Sequence, residues 1–70
     1  MKNSIKVERA IAGITQEQLA KSVQVSRQTI NAIESGKYVP STVLSLKIAH
    51  VFEKSIDSIF ILEESDWKSS

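Results

Sequence analysis

Apolar residues recur along the chain at the three- and four-residue spacing of helices that pack by one face. Leu19, Ala20 and Val23 form one such group and Ile30 with Ile33 a second; Leu44, Ile48, Ala49 and Phe52 form a third. Between the groups stand residues that start and stop helices. The pattern predicts a first helix over 4–12, stopped by Gly13 in a left-handed conformation. Thr15-Gln16-Glu17-Gln18 is a capping box, and opens a second helix that runs to about Val23. Ser26 caps a third helix over 27–35, with Gly36 as its stop. The break Val39-Pro40-Ser41 introduces a fourth over 42–53. Ser55 caps a short fifth helix, Ile56–Ile59. The run Phe60-Ile61-Leu62 lacks caps. It reads either as a short strand paired near Met1 or as an extended tail packed on the body. Residues 65–70 read as a flexible C-terminal tail, which leaves 1–64 as one domain.

The third helix carries the most information. At about 100° per residue, Arg27, Gln28, Asn31 and Ser35 fall within an arc of roughly 100°, opposite Ile30 and Ile33. This stripe holds no acid, and Ala32 at its edge is small enough for close approach. Arginine can donate two hydrogen bonds to guanine, and Gln or Asn can bond both edge groups of adenine. Many surface helices have a polar stripe, but an acid-free one of these residue types fits a DNA groove. Two helices joined around Gln24-Val25 make a helix-turn-helix, whose second helix enters the major groove by its N-terminal residues.

Charge distribution agrees with that orientation. The net charge is only +1, yet residues 1–50 carry seven bases against three acids and residues 51–70 two against five. Such a chain can turn a basic side to phosphates and an acidic end away. Seventy residues suffice for one small core, whose stability a partner copy can augment. No cysteine is present, which fits a reducing compartment. No apolar run reaches the roughly 18 residues of a membrane span. The expected location is the cytoplasm.

The run Leu19-Ala20-x-x-Val23-x-Val25-Ser26-Arg27-Gln28-Thr29-Ile30-Asn31-Ala32-Ile33-Glu34-x-Gly36-Lys37-Tyr38-x-Pro40-Ser41 resembles the Cro/repressor-type helix-turn-helix family, also called the XRE family. The likeness extends over about residues 4–60. It is strongest to the short stand-alone subgroup similar to the cytolysin repressor. The resemblance implies an all-α, five-helix DNA-binding domain with a helix-turn-helix at about 16–35, in some members with a small added two-stranded antiparallel sheet. It implies a homodimeric repressor on a symmetric operator of double-stranded DNA. Arg27, Gln28 and Asn31 are then expected to face bases. Gln16, Thr29, Ser35, Lys37 and Tyr38 are expected along the phosphate backbone, and Arg9 and Glu34 form an inward salt bridge. The expected dimer contact comprises Ile56, Ile59, Phe60 and Leu62. Two positions depart from the family pattern. Gln24 stands where glycine is frequent, and a left-handed glutamine there costs about 1 kcal/mol. Val7-Glu8 replaces an acid followed by leucine, so Val7 and Ile11 are either exposed or covered by the C-terminal strand.

Other chemistry is sparse. His50 has neither a cysteine nor a second histidine to complete a metal site. The serines sit at helix starts, where capping explains them, and no nucleophile–base pair is evident. Two glycines do not make a phosphate-cradling loop. Glu63 and Glu64 read as a solvated acidic end, and Trp67 as either a partner contact or a solvent-exposed ring. No enzyme, cofactor or small-molecule ligand is expected. The competing readings are an antitoxin, for which residues 61–70 offer little toxin-binding length, and a protein-interaction helical bundle that binds no DNA.

Overall fold

Local capping decides where the helices begin. In the computed structural model, which describes residues 1–68, Thr15 Oγ1 accepts from the Gln18 amide at 3.0 Å, and the Gln18 side chain accepts from the Thr15 amide at 2.8 Å. Ser26 and Ser41 do the same one-sided work, accepting from the Thr29 and Leu44 amides at 3.1 Å each. These caps satisfy amides that a helix start leaves unpaired. The elements are β1 (Lys2–Asn3), α1 (Ile5–Ala12), α2 (Gln16–Val23), α3 (Arg27–Glu34), α4 (Thr42–Val51), α5 (Ile56–Ile59) and β2 (Phe60–Ile61), followed by a 3-10 turn over Glu64–Trp67. The fold is thus all-helical with a two-stranded sheet. β1 and β2 pair antiparallel, Lys2 with Ile61 and Asn3 with Phe60.

One apolar core joins all five helices. Ile5, Leu19, Ile30, Ile48 and Ile59 have no exposed surface, and Val23 and Ile33 have almost none. Each such side chain contributes about 1.5–3 kcal/mol of transfer free energy. Leu44, Ala49, Ala20 and Phe60 complete the cluster, and Phe52 and Ile56 pack on it from the rim.

Several boundaries and caps differ from the sequence reading. The fourth helix ends at Val51, because Glu53 takes φ 54° and turns the chain. α1 begins at Ile5 and not at Ser4, and Asn3 stands at its entry, its Oδ1 accepting from the Ile5 amide while its Nδ2 donates to the Ile33 carbonyl at 2.9 Å. Asn3 therefore ties the sheet to α3. Ser55 bonds Ser58 Oγ rather than a backbone amide. Val7 and Ile11 lie on the exposed side of α1, uncovered by β2.

The C-terminal segment also differs. Where a tail was expected from Ser65, Glu64–Trp67 form a 3-10 turn. The Met1 ammonium bonds Glu63 at 3.0 Å and Asp66 at 3.1 Å, so the two chain ends are linked. Ser69 and Ser70, the end of that expected tail, lie outside the described residues. Trp67 is exposed. Ile59 and Phe60, expected at a dimer contact, are instead core residues at 0% and 7% exposure. Ile59 closes α5, with its carbonyl accepting from the Ser4 amide, and Phe60 pairs with Asn3 of β1, so neither is available at a surface.

Candidate nucleic-acid interface

α2 and α3 cross at a three-residue connection, Gln24 to Ser26. Gln24 adopts φ 64°, and its amide closes the end of α2 by bonding the Ala20 and Lys21 carbonyls. The chain turns sharply there, and Ser26 restarts it as α3. Ile30 and Ile33 anchor α3 in the core, which fixes the rotation of the helix. The opposite side is consequently solvent-facing, with Arg27, Gln28 and Asn31 all exposed. No acidic side chain lies in the first turn of α3. Gln16, at the first position of α2, joins these three around a hollow of about 270 Å³. A second hollow of about 470 Å³ continues along the α2 N-terminus past Thr15 and Glu17 to Arg9.

The remaining expected backbone-contact residues are Thr29, Ser35 on the stripe, and Lys37 and Tyr38 beyond its end. Thr29 is half-buried, and its hydroxyl shares a 3.0 Å hydrogen bond with Ser26. Ser35 Oγ donates to the Ala32 carbonyl at 3.1 Å. Beyond Gly36, the Lys37 and Tyr38 amides both bond Ala32 O, which folds the chain back over the end of α3. The Lys37 and Tyr38 side chains point outward from that turn and are exposed. Basic and aromatic groups thus stand at one end of the stripe and the free amides of the α2 start at the other.

Behind the stripe, the structure brings Arg9 and Glu34 together. Arg9 Nε donates to Glu34 Oε2 at 2.6 Å and Nη2 donates to Oε1 at 3.0 Å, with side-chain exposures of 15% and 8%. Burial alone would raise the Glu34 carboxyl. Hydrogen bonds from Arg9 and Gln16, with the charges of Arg9 and Lys6, outweigh it and hold the group below its ordinary 4.5.

Two linkages had no signal in the sequence pattern. Gln16 does not extend into solvent: its Nε2 donates to Glu34 Oε1 at 3.1 Å and to Asn31 Oδ1 at 3.3 Å. Asn31 and Glu34 lie one helical turn apart on α3, but only the crossing with α2 makes Gln16 their common neighbour. On the far side, Lys54 Nζ donates to the buried Glu8 at 2.9 Å, which fastens the α4–α5 connection to α1. Among the described residues no group of His, Cys, Asp and Glu is placed to hold a metal ion. Nor is any helix among them long and apolar enough to cross a membrane.

Comparison with known proteins agrees with this geometry. A family model described as Helix-turn-helix matches residues 5–59. An uncharacterized HTH-type transcriptional regulator of Methanocaldococcus jannaschii is 54% identical over 66 residues, which cover 94% of this chain and 100% of that protein. A second, from Bacillus subtilis, is 48% identical over 66 residues, again 94% of this chain and 100% of the relative. A third, from Archaeoglobus fulgidus, is 50% identical over 66 residues, 94% of this chain and 93% of its own length.

Proposed function

Because this chain belongs to the helix-turn-helix family, we propose that it is a homodimeric repressor that reads a two-fold symmetric operator with α3 in the major groove. One observation carries the reading: the core-anchored α3 leaves Arg27, Gln28 and Asn31 together on a solvent-facing stripe, with no acid in the first turn of the helix. Arg27, Gln28 and Asn31 contact base edges. The α2 N-terminus at Gln16, with Thr29, Ser35, Lys37 and Tyr38, contacts phosphates and sets the register. At Gln16 the phosphate contact is made by the backbone amide at the helix start, since its side-chain NH2 is turned inward.

Two copies place their α3 helices about 34–36 Å apart in successive major grooves. Occupancy of a promoter then excludes polymerase, in the compartment that holds the chromosome, the cytoplasm. The second copy docks on the C-terminal side, where Ile61 and Leu62 are more than half exposed and Ile56 partly so. Burying these aliphatic groups offsets part of the small stability of a 70-residue core.

The test is selection of bound duplexes from random DNA by purified protein, followed by sedimentation with and without the selected site. A palindromic consensus and a dimer are the expected results. Flat duplex titrations at low ionic strength would overturn DNA binding, and a single unrepeated half-site bound by a monomer would overturn the dimer.

A further inference from the structure

Three hydrogen-bonded side chains behind the stripe have a fixed polarity. Arg9 is a pure donor and the ionised Glu34 carboxylate a pure acceptor. A carboxylate has no hydrogen to give, so the Gln16 atom 3.1 Å from Glu34 Oε1 must be its NH2. That same nitrogen lies 3.3 Å from Asn31, so the Asn31 atom facing it must be the carbonyl oxygen. The direction of each amide is therefore imposed from the Arg9–Glu34 pair outward and not chosen independently. Asn31 Oδ1 faces Gln16, which leaves both Nδ2 hydrogens to offer, and Asn31 lines the hollow with Arg27 and Gln28.

We propose that Gln16 is a specificity-determining residue that touches no base: it transmits the polarity of Glu34 to Asn31, which then meets the groove as an amino donor. This rests on the assignment of α3 as the reading helix. A donor at that point selects a base edge that offers an acceptor, namely purine N7, guanine O6 or thymine O4. It disfavours cytosine, which presents its own N4 amino group. An asparagine free to rotate its amide end over end can present either atom, and discriminates less. Glu34 is thereby an indirect part of the readout although its side chain is nearly buried.

The experiment measures affinities for a selected site and for its single-base-pair variants, with wild type and three substituted proteins. Asn31→Ala locates the base pair that Asn31 reads. Gln16→Met keeps the length of the side chain and removes its donor. Gln16→Lys keeps a donor-only end against both Glu34 and Asn31. Wild type is expected to disfavour cytosine at the Asn31 position by about tenfold, as a single good base contact does. Gln16→Met is expected to reduce that to about twofold with preferences elsewhere in the site unchanged, and Gln16→Lys to retain it. In the Asn31→Ala background Gln16→Met is expected to change nothing at that position, since coupled residues are non-additive. Gln16 is at the surface end of α2, and Gln16→Ser, too short to reach either partner, serves equally if the methionine variant does not fold. An unchanged cytosine penalty in Gln16→Met, or an Asn31→Ala protein with unaltered preference, overturns the inference while DNA binding by wild type stands. Absence of binding by wild type itself overturns the parent reading instead.

Discussion

Arg9 grips Glu34 side-on, through Nε at 2.6 Å and Nη2 at 3.0 Å, so that the first helix is braced against the end of the third. Both side chains are largely shielded from water. Removing one partner strands the other as an unpaired charge, which in buried pairs costs about 3 kcal/mol or more. Arg9→Met is accordingly expected to lower the unfolding free energy by about that amount. The loss should depend on pH with a definite sign. Glu34 lies below its ordinary 4.5 in the folded chain. Its stabilising contribution is thus complete above 4.5 and fades as pH falls below 4.5 through the folded value. The urea midpoints of wild type and Arg9→Met should differ most near neutral pH and converge in acid. A difference that stays constant down to about pH 3 would show that the pair is not responsible.

Arg27 and Lys37 occupy different parts of the proposed interface, and their substitutions should separate readout from attraction. Arg27 stands on the exposed stripe of α3 and Lys37 beyond its end. Arg27→Ala should relax sequence preference at one position and cost about 1–3 kcal/mol there. Lys37→Ala should weaken binding to every duplex alike and reduce the salt-dependence slope by about 1. Titration of matched and mismatched duplexes over a series of salt concentrations distinguishes the two. Loss of specificity from Lys37→Ala, with none from Arg27→Ala, would reverse the assignment.

Much of this was legible in the chain because the signals are local. Thr15, Ser26 and Ser41 mark helix starts by hydroxyls that bond amides three residues on. The spacing of Ile30 and Ile33 settles which side of α3 faces outward. Beyond local details such as the end of α4 at Glu53, what differs concerns contacts between residues far apart in sequence. Ile59 and Phe60 read as apolar residues free to meet a partner, yet the end of α5 and the pairing of Phe60 with Asn3 turn them into the core. Asn3, outside the expected first helix, reaches both the Ile5 amide and the distant Ile33 carbonyl and so fixes where α1 begins. The inward turn of Gln16 depends on the angle at which α2 meets α3, which no local pattern encodes. The lysine that pairs with Glu8 comes from position 54.

The linkage between the chain ends gives an alkaline counterpart to the Glu34 effect. Hydrogen bonds from the Met1 ammonium to Glu63 and then Asp66 raise it above its ordinary 8.0. Asp66 is held below 3.8 by the Glu63 amide and then by the same ammonium. A raised amine stabilises fully below 8.0, and that contribution disappears as pH climbs through the folded value. Wild type should therefore lose stability as pH climbs above 8.0, and the Glu63→Gln/Asp66→Asn double variant should lose less over the same range. Denaturant midpoints across that range decide it, and parallel curves would mean that the ammonium makes no energetic contribution.

Gln24 tests the backbone directly. Its φ of 64° is a conformation in which a side chain crowds the following carbonyl, at a cost of about 1–2 kcal/mol. Glycine removes the clash but adds freedom to the unfolded chain, which returns part of the gain. The hydrogen bond from Lys47 to Gln24 Oε1 is long, 3.4 Å, and exposed, so its loss subtracts little. Gln24→Gly should then raise stability by about 0.5–1 kcal/mol. Gln24→Ala keeps the strain and should bring no such gain, while Gln24→Val, branched at Cβ, should be the least stable of the set. Thermal unfolding of the four proteins ranks them. Because the Gln24 side chain meets Lys47 of α4 and does not line the hollow of Gln16, Arg27, Gln28 and Asn31, duplex affinity should be unchanged in Gln24→Gly. A stabilised variant that has lost DNA binding would mean that the left-handed glutamine is itself part of the contact surface.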